Sequence, residues 1–148
     1  MKTQKPPIDF KLFNPKIKKP GKLILENFDF VPTPNFIDYL RSGLQLNLVV
    51  AVDFTASNGN PTNASSLHYG VNGPTQYQTV LNSIWEIISN YDSDKRIPAF
   101  GFGAKPHLPN FNKMTVEHCF PLNGNPQNPE ISGFGQLMET YTMAVQNI

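Results

Sequence analysis

From Leu44 the chain reads LQLNLVVAV, a nearly continuous apolar run rich in Val and Leu. Such a run predicts a strand buried on both faces of a parallel sheet. A polar loop over residues 58–74 follows. In TQYQTVLNSIWEIISNY, Tyr77, Val80, Leu81, Ile84, Ile88 and Tyr91 recur at three-to-four spacing. That period predicts a helix with those residues on one face and Trp85 beside them in the core. Thr75 and Gln78 fit a capping box just after Pro74. YDSDKR ends this helix, and IPAFGFG is a second apolar strand. Strand, helix and strand make a βαβ unit, for which a right-handed crossover is expected. MTVEHCF alternates moderately and predicts a short edge strand. GFGQLMETYTMAVQ predicts a further helix with Leu137, Met138, Tyr141 and Val145 on one face. The fold class is therefore α/β.

The N-terminal part is patterned differently. KPPIDFKLFNPKIKKPGK is punctuated by Pro6, Pro7, Pro15 and Pro20, and reads as extended chain or linker. KLILENFDFV alternates in part and predicts a single strand whose sheet partners lie elsewhere. VPTP then marks the change to NFIDYLRSGL, a short amphipathic turn of helix. The division falls between residues 1–34 and residues 35–148. Charge divides in a similar way. Residues 1–22 hold seven lysines against Asp9 alone, whereas residues 23–148 hold five basic and ten acidic side chains. A basic arm can touch anionic lipid or nucleic acid. These lysines are dispersed among prolines, which favours a solvated segment, and no nucleic-acid partner is expected.

Composition narrows the class further. With 39% hydrophobic and 16% charged residues in 148, the chain suits one globular domain with a real core. Fourteen prolines predict irregular connections. There is no apolar run of membrane-spanning length and no signal-peptide pattern at MKTQKP. The lone Cys119 rules out an internal disulfide and agrees with a reducing, intracellular setting.

The first apolar strand runs into Asp53, Thr55 and Ser57. In open α/β sheets, ligands bind beyond the carboxyl ends of the strands. Alternate spacing can turn all three side chains toward one point. One carboxylate and two hydroxyls are hard oxygen donors, suited to Mg²⁺ or Mn²⁺ rather than Zn²⁺. The alternative is an Asp at a strand end, followed by a turn through Ser57, Asn58 and Gly59. The residues themselves leave both readings open.

FIDYLRSGLQLNLVVAVDFTASNGNP, SLHY, NSIWEIISNYDSDKRIPAFGFGAK and CFPLNGNPQNP together resemble the copine family, specifically its von Willebrand factor A-like domain. Upstream, PGKLILENFDFVPTPNFIDYL resembles the closing strand of the second C2 domain and its link into the A domain. The resemblance implies a partial doubly wound, Rossmann-like A-type domain over residues 35–148, after a C2 remnant in residues 1–34. It implies a cytoplasmic protein, peripheral to the plasma membrane, that binds anionic phospholipid through Ca²⁺-loaded C2 domains. Its A domain would recruit proteins through a metal-ion-dependent adhesion site. Asp53, Thr55 and Ser57 carry over to that site's Asp-x-Ser/Thr-x-Ser motif, with Mg²⁺ or Mn²⁺ bound and a partner's acidic side chain completing the shell. The family's later Thr and Asp ligands have no match here, and neither do the C2 calcium loops. The chain thus reads as a fragment or truncated product, with an unpaired edge at LNLVVAV that invites self-association.

No enzymatic constellation stands out. His68, His107 and His118 lack zinc-like spacing, and a Cys119–His118 nucleophilic pair is not expected, because strand neighbours face opposite ways. GFGAKP lacks the phosphate-loop and dinucleotide patterns, so its glycines point to close packing at a strand end. Asp92 and Asp94 match a calcium loop only superficially and read as a helix exit. One alternative is the substrate-binding A domain of a RING-type ubiquitin ligase, although one Cys excludes a RING within this chain. Another is a structural remnant with no metal function.

Overall fold

A computed structural model describes residues 7–19, 21–26 and 29–148. The chain forms two compact units, residues 1–39 and residues 40–148. Among the described residues, three helices and eight short strands make a mixed α/β structure. None of the described helices is long and apolar enough to cross a membrane.

In the first unit, β1 (Ile8–Lys11) pairs antiparallel with β2 (Lys22–Leu25), from Ile8 opposite Leu25 to Lys11 opposite Lys22. The strand foreseen in KLILENFDFV therefore has its partner in the segment that reads as linker, not elsewhere. Residues 27 and 28 of that stretch lie outside the described residues. Proline punctuation concealed the partner, yet the four residues between Pro7 and Leu12 are free of proline and can complete a ladder. Lys22 bridges to Asp9 at 3.0 Å. A short helix, α1 (Phe36–Arg41), follows Asn35. Asn35 accepts from the Asp38 N–H, and Asp38 accepts from the Asn35 N–H. This reciprocal cap satisfies two amides that the first helical turn leaves without partners.

The second unit is built on β4 (Arg96–Phe102), with β3 (Val50–Asp53) parallel to it. β7 (Phe120–Pro121) and β8 (Glu130–Ser132) both run antiparallel to β4. Between β4 and β7, β5 (His107–Leu108) and β6 (Phe111–Asn112) form a separate hairpin. The edge strand foreseen in MTVEHCF is displaced. Glu117 makes only an isolated bridge to Ala104, and the paired strand starts at Phe120.

The apolar run before Asp53 is not buried on both faces. Val50 and Val52 are buried and Leu46 and Leu48 partly so, whereas Gln45, Asn47, Val49 and Ala51 are exposed. The two-residue period of a one-sided strand was present in the run, with Gln and Asn at two outward positions. Val49 and Ala51 disguised it. Among the described residues β3 has a sheet partner on one side only.

α2 (Gln76–Ile88) carries the expected capping box: Thr75 Oγ1 accepts from the Gln78 N–H, and Gln78 Oε1 accepts from the Thr75 N–H. Its inward stripe is rotated from the expected one. Leu81 is buried and Tyr77, Trp85 and Ile88 are partly so, while Val80 and Ile84 are exposed. α3 (Gly133–Gln146) packs on β4, β8 and α2, and buries Leu137, Thr140, Tyr141 and Ala144. Trp85 stacks on Phe134 where the two helices meet, with centroids 5.9 Å apart. The core joins Val50, Val52, Phe54, Ile97, Ala99, Phe120, Leu122 and Ile131 to α3. Each such Val, Ile, Leu or Phe side chain, fully buried, contributes on the order of 2 kcal/mol.

Gly101 lets two aromatic rings close over β4. A Cβ there would lie 2.6 Å from Phe120 Cζ and 2.8 Å from Phe54 Cε2. Gly101→Ala is expected to cost about 1–3 kcal/mol through overpacking, read as a lowered thermal midpoint. The open edge of β3 generates a second expectation. The chain will self-associate with rising concentration in sedimentation velocity, and Ala51→Lys, an outward edge charge, will shift it toward monomer. A concentration-independent monomer would count against it.

Candidate functional site

Asp53 is the last residue of β3, and its carboxylate turns back on the loop that follows. Asp53 Oδ1 accepts from the Thr55 N–H at 2.8 Å. This is an Asx turn, which shapes the exit from the strand. A 3₁₀ turn over Ala56–Asn58 comes next, closed by Asn58 N–H to Thr55 O at 2.9 Å and Gly59 N–H to Ala56 O at 3.1 Å. The turn reading of this stretch is thus realised. The same turn also brings the other two candidate residues together: Thr55 Oγ1 and Ser57 Oγ lie 2.8 Å apart. Thr55 is half-buried and Ser57 exposed.

Divalent metals test this geometry. Six oxygens around Mg²⁺ at about 2.1 Å place neighbouring ligands roughly 2.9 Å apart. The Thr55–Ser57 hydroxyl pair already has the spacing of one octahedral edge, on hard oxygen donors. The residues present fit such an ion as a partial ligand set. Among the described residues no three His, Cys, Asp or Glu side chains gather as ligands, so the carboxylate supply here is Asp53.

Gly103, at the end of β4, sets the position of Thr55. It has φ +80°, and a Cβ on it would collide with Thr55 Cγ2. The glycines of GFGAKP therefore serve close approach at a strand end, as the sequence suggested.

Three donors from three segments meet on the backbone oxygen of Asp53. Asn58 Nδ2 donates from the loop at 2.7 Å and Tyr77 Oη from α2 at 3.2 Å. His68 Nε2 lies 3.0 Å away on the other side of the long loop. His68 is only 3% exposed and stacks on both Tyr77, at 4.5 Å, and Phe54, at 5.0 Å. Its Nδ1 lies 2.9 Å from the Tyr141 hydroxyl, which in turn lies 3.0 Å from Thr75 Oγ1. Sequence reasoning found no zinc-like spacing at His68 and placed the two tyrosines on apolar helix faces. A Tyr facing a core needs a partner for its hydroxyl, and that was the available signal. His107 and His118 are exposed, as is Cys119, and they stand apart from this cluster. Asp92 is buried at the exit of α2, where it accepts from the Lys95 N–H at 3.1 Å. Asp94 accepts from the Arg96 N–H at 3.0 Å.

The electrostatics follow from these contacts. The Thr55 N–H holds the Asp53 carboxyl below its ordinary value, helped by the Thr55 and Asn58 side chains against a smaller cost of burial. Burial lowers the His68 imidazole and raises the Tyr77 phenol. Burial also pushes the Tyr141 phenol up to about 12, so its hydroxyl keeps its proton at any ordinary pH. A depressed imidazole means that the unfolded chain takes up a proton, near the ordinary 6.5, before the folded chain does. This contribution to stability is complete above that pH and lost as pH falls through the lower folded value. Thermal midpoints measured from pH 7.5 down to 5 are expected to fall, and His68→Gln to flatten the profile.

Comparison with known proteins places these features in a family. The family model described as Copine matches residues 66–148. Protein BONZAI 1 of Arabidopsis thaliana is 43% identical over 130 residues, covering 86% of this chain and 22% of that protein. Nicotinic receptor-associated protein 1 of Caenorhabditis briggsae is 43% identical over 134 residues, covering 90% and 21%. Protein BONZAI 2 of Arabidopsis thaliana is 42% identical over 132 residues, covering 86% and 21%. The chain spans about a fifth of the length of these curated relatives. On the strength of the model match and of this identity over most of its length, the chain belongs to the copine family.

Proposed function

We propose that residues 35–148 form part of a doubly wound, von Willebrand factor A-type domain. In it, Asp53, Thr55 and Ser57 contribute to a Mg²⁺- or Mn²⁺-dependent protein-interaction site. The observation that carries this reading is the 2.8 Å hydroxyl pair beside a carboxylate held in its charged form. When bound, the metal would link these loop oxygens to an acidic side chain of a partner protein. The chain's own contribution is to hold the loop: Asp53 shapes the turn, Gly103 seats Thr55, and the donors on the Asp53 carbonyl fix the strand end. The role is recruitment rather than catalysis.

Membrership in the family supports the wider reading. The whole protein would be cytoplasmic and peripheral to the plasma membrane, binding anionic phospholipid with Ca²⁺ held by C2 domains. The hairpin of β1 and β2 would then be the closing part of such a domain, within residues 1–34. The name of the Caenorhabditis relative couples that protein to a receptor, in keeping with a protein-binding module here.

Titration calorimetry with Mg²⁺ and Mn²⁺ tests the site, on this chain and on a version extended by the segment that follows the matched region in BONZAI 1. One carboxylate and two hydroxyls hold Mg²⁺ weakly, because the ion gives up its water shell reluctantly. Weak binding to the chain, tighter binding to the extended version and loss of both in Asp53→Ala are expected. No binding to either would leave residues 53–59 as a turn alone.

A further inference from the structure

Hydrogen-bond chemistry gives the contacts around His68 a direction. A backbone carbonyl oxygen can only accept, so His68 Nε2, 3.0 Å from Asp53 O, carries the proton. Nδ1 of the neutral ring is then a bare acceptor, and the hydroxyl of Tyr141, 2.9 Å away, donates into it. That leaves the Tyr141 oxygen as an acceptor for the Thr75 hydroxyl at 3.0 Å. Thr75 Oγ1 itself accepts the Gln78 N–H at 3.1 Å, which frees its own proton to be donated. Four bonds thus point the same way, from the first turn of α2 through α3 and the long loop to the end of β3. The two end bonds have fixed directions, and reversing either hydroxyl bond between them would leave a donor facing a donor or an acceptor facing an acceptor inside the cluster.

We propose that His68 and Tyr141 are positioning residues, which lock the Asp53–Asn58 loop to helices α2 and α3 through this one-way relay. Its functional meaning rests on the metal-loop reading above, but its structural content does not. The relay reaches the loop at the Asp53 carbonyl, on the backbone of the residue that supplies the carboxylate. Asn58, which closes the 3₁₀ turn, donates to that same oxygen. Orientation of Thr55 and Ser57 is thereby tied to two helices from which neither residue comes. Second contacts of this kind commonly set how well a ligand set holds its ion.

The test uses the whole chain, labelled with ¹⁵N. Long-range imidazole spectra read the His68 tautomer. Amide exchange at Asn58, Gly59 and Leu67 reads the rigidity of the loop, and Mn²⁺ alone probes the site. The native chain is expected to show His68 with its proton on Nε2. In Tyr141→Phe the loop amides exchange faster, and any Mn²⁺ binding weakens about tenfold. His68→Gln keeps an amide donor for the Asp53 carbonyl and retains slow exchange, whereas His68→Leu does not. This second pair carries the test should Tyr141→Phe fail to fold. A proton on Nδ1, or loop exchange unchanged in both Tyr141→Phe and His68→Leu, would overturn the relay. Faster exchange in those variants with no Mn²⁺ binding by the native chain would uphold the relay and reject the metal reading.

Discussion

The carbonyl oxygen of Asp53 is the point on which the geometry of the candidate site depends. A strand that stops inside a protein leaves its last carbonyl without a ladder partner, and a buried acceptor of that kind is costly. Here the debt is met by side chains from the following loop, from residue 68 and from α2. Because those donors come from distant parts of the sequence, satisfying one acceptor also ties the strand end to the loop, to His68 and to α2.

β4 makes that arrangement possible from the other side. Gly101 admits Phe54 and Phe120 against the sheet, and Gly103 admits Thr55. Two residues apart, one within β4 and one just past its end, they let the segment after β3 lie close enough for Phe54 to stack on His68. The aromatic cluster and the loop are thus one construction: rings exclude water from the relay, and the relay holds the rings in register. Ser57 is exposed and Thr55 half-buried, and their hydroxyls lie 2.8 Å apart next to the charged Asp53 carboxylate.

The periods of the chain were legible where a single helix or strand decides its own pattern. The capping box at Thr75 and Gln78, Leu137 and Tyr141 on the inward face of α3 and the strand IPAFGFG could be read directly, whereas Thr140 and Ala144 take the inward places foreseen for Met138 and Val145, which are only partly buried. The loop residues Asp53, Thr55 and Ser57 were legible as a candidate site from their place at a strand end, and GFG as a close approach. Family membership was carried by specific strings rather than by physics.

Tertiary structure alone decided the rest. Whether LQLNLVVAV is covered on one face or two depends on which elements pack beside it, and composition does not record that. The inward stripe of α2 passes through Trp85 rather than Ile84 because α3 presents Phe134 there. β2 finds its partner in β1 across a proline-marked loop, a choice made by pairing between residues as far apart as Ile8 and Leu25. The relay through His68, Tyr141 and Thr75 spans up to 73 positions. No local pattern encodes it, since each hydroxyl and ring nitrogen acquires its direction only from the partner that folding brings to it.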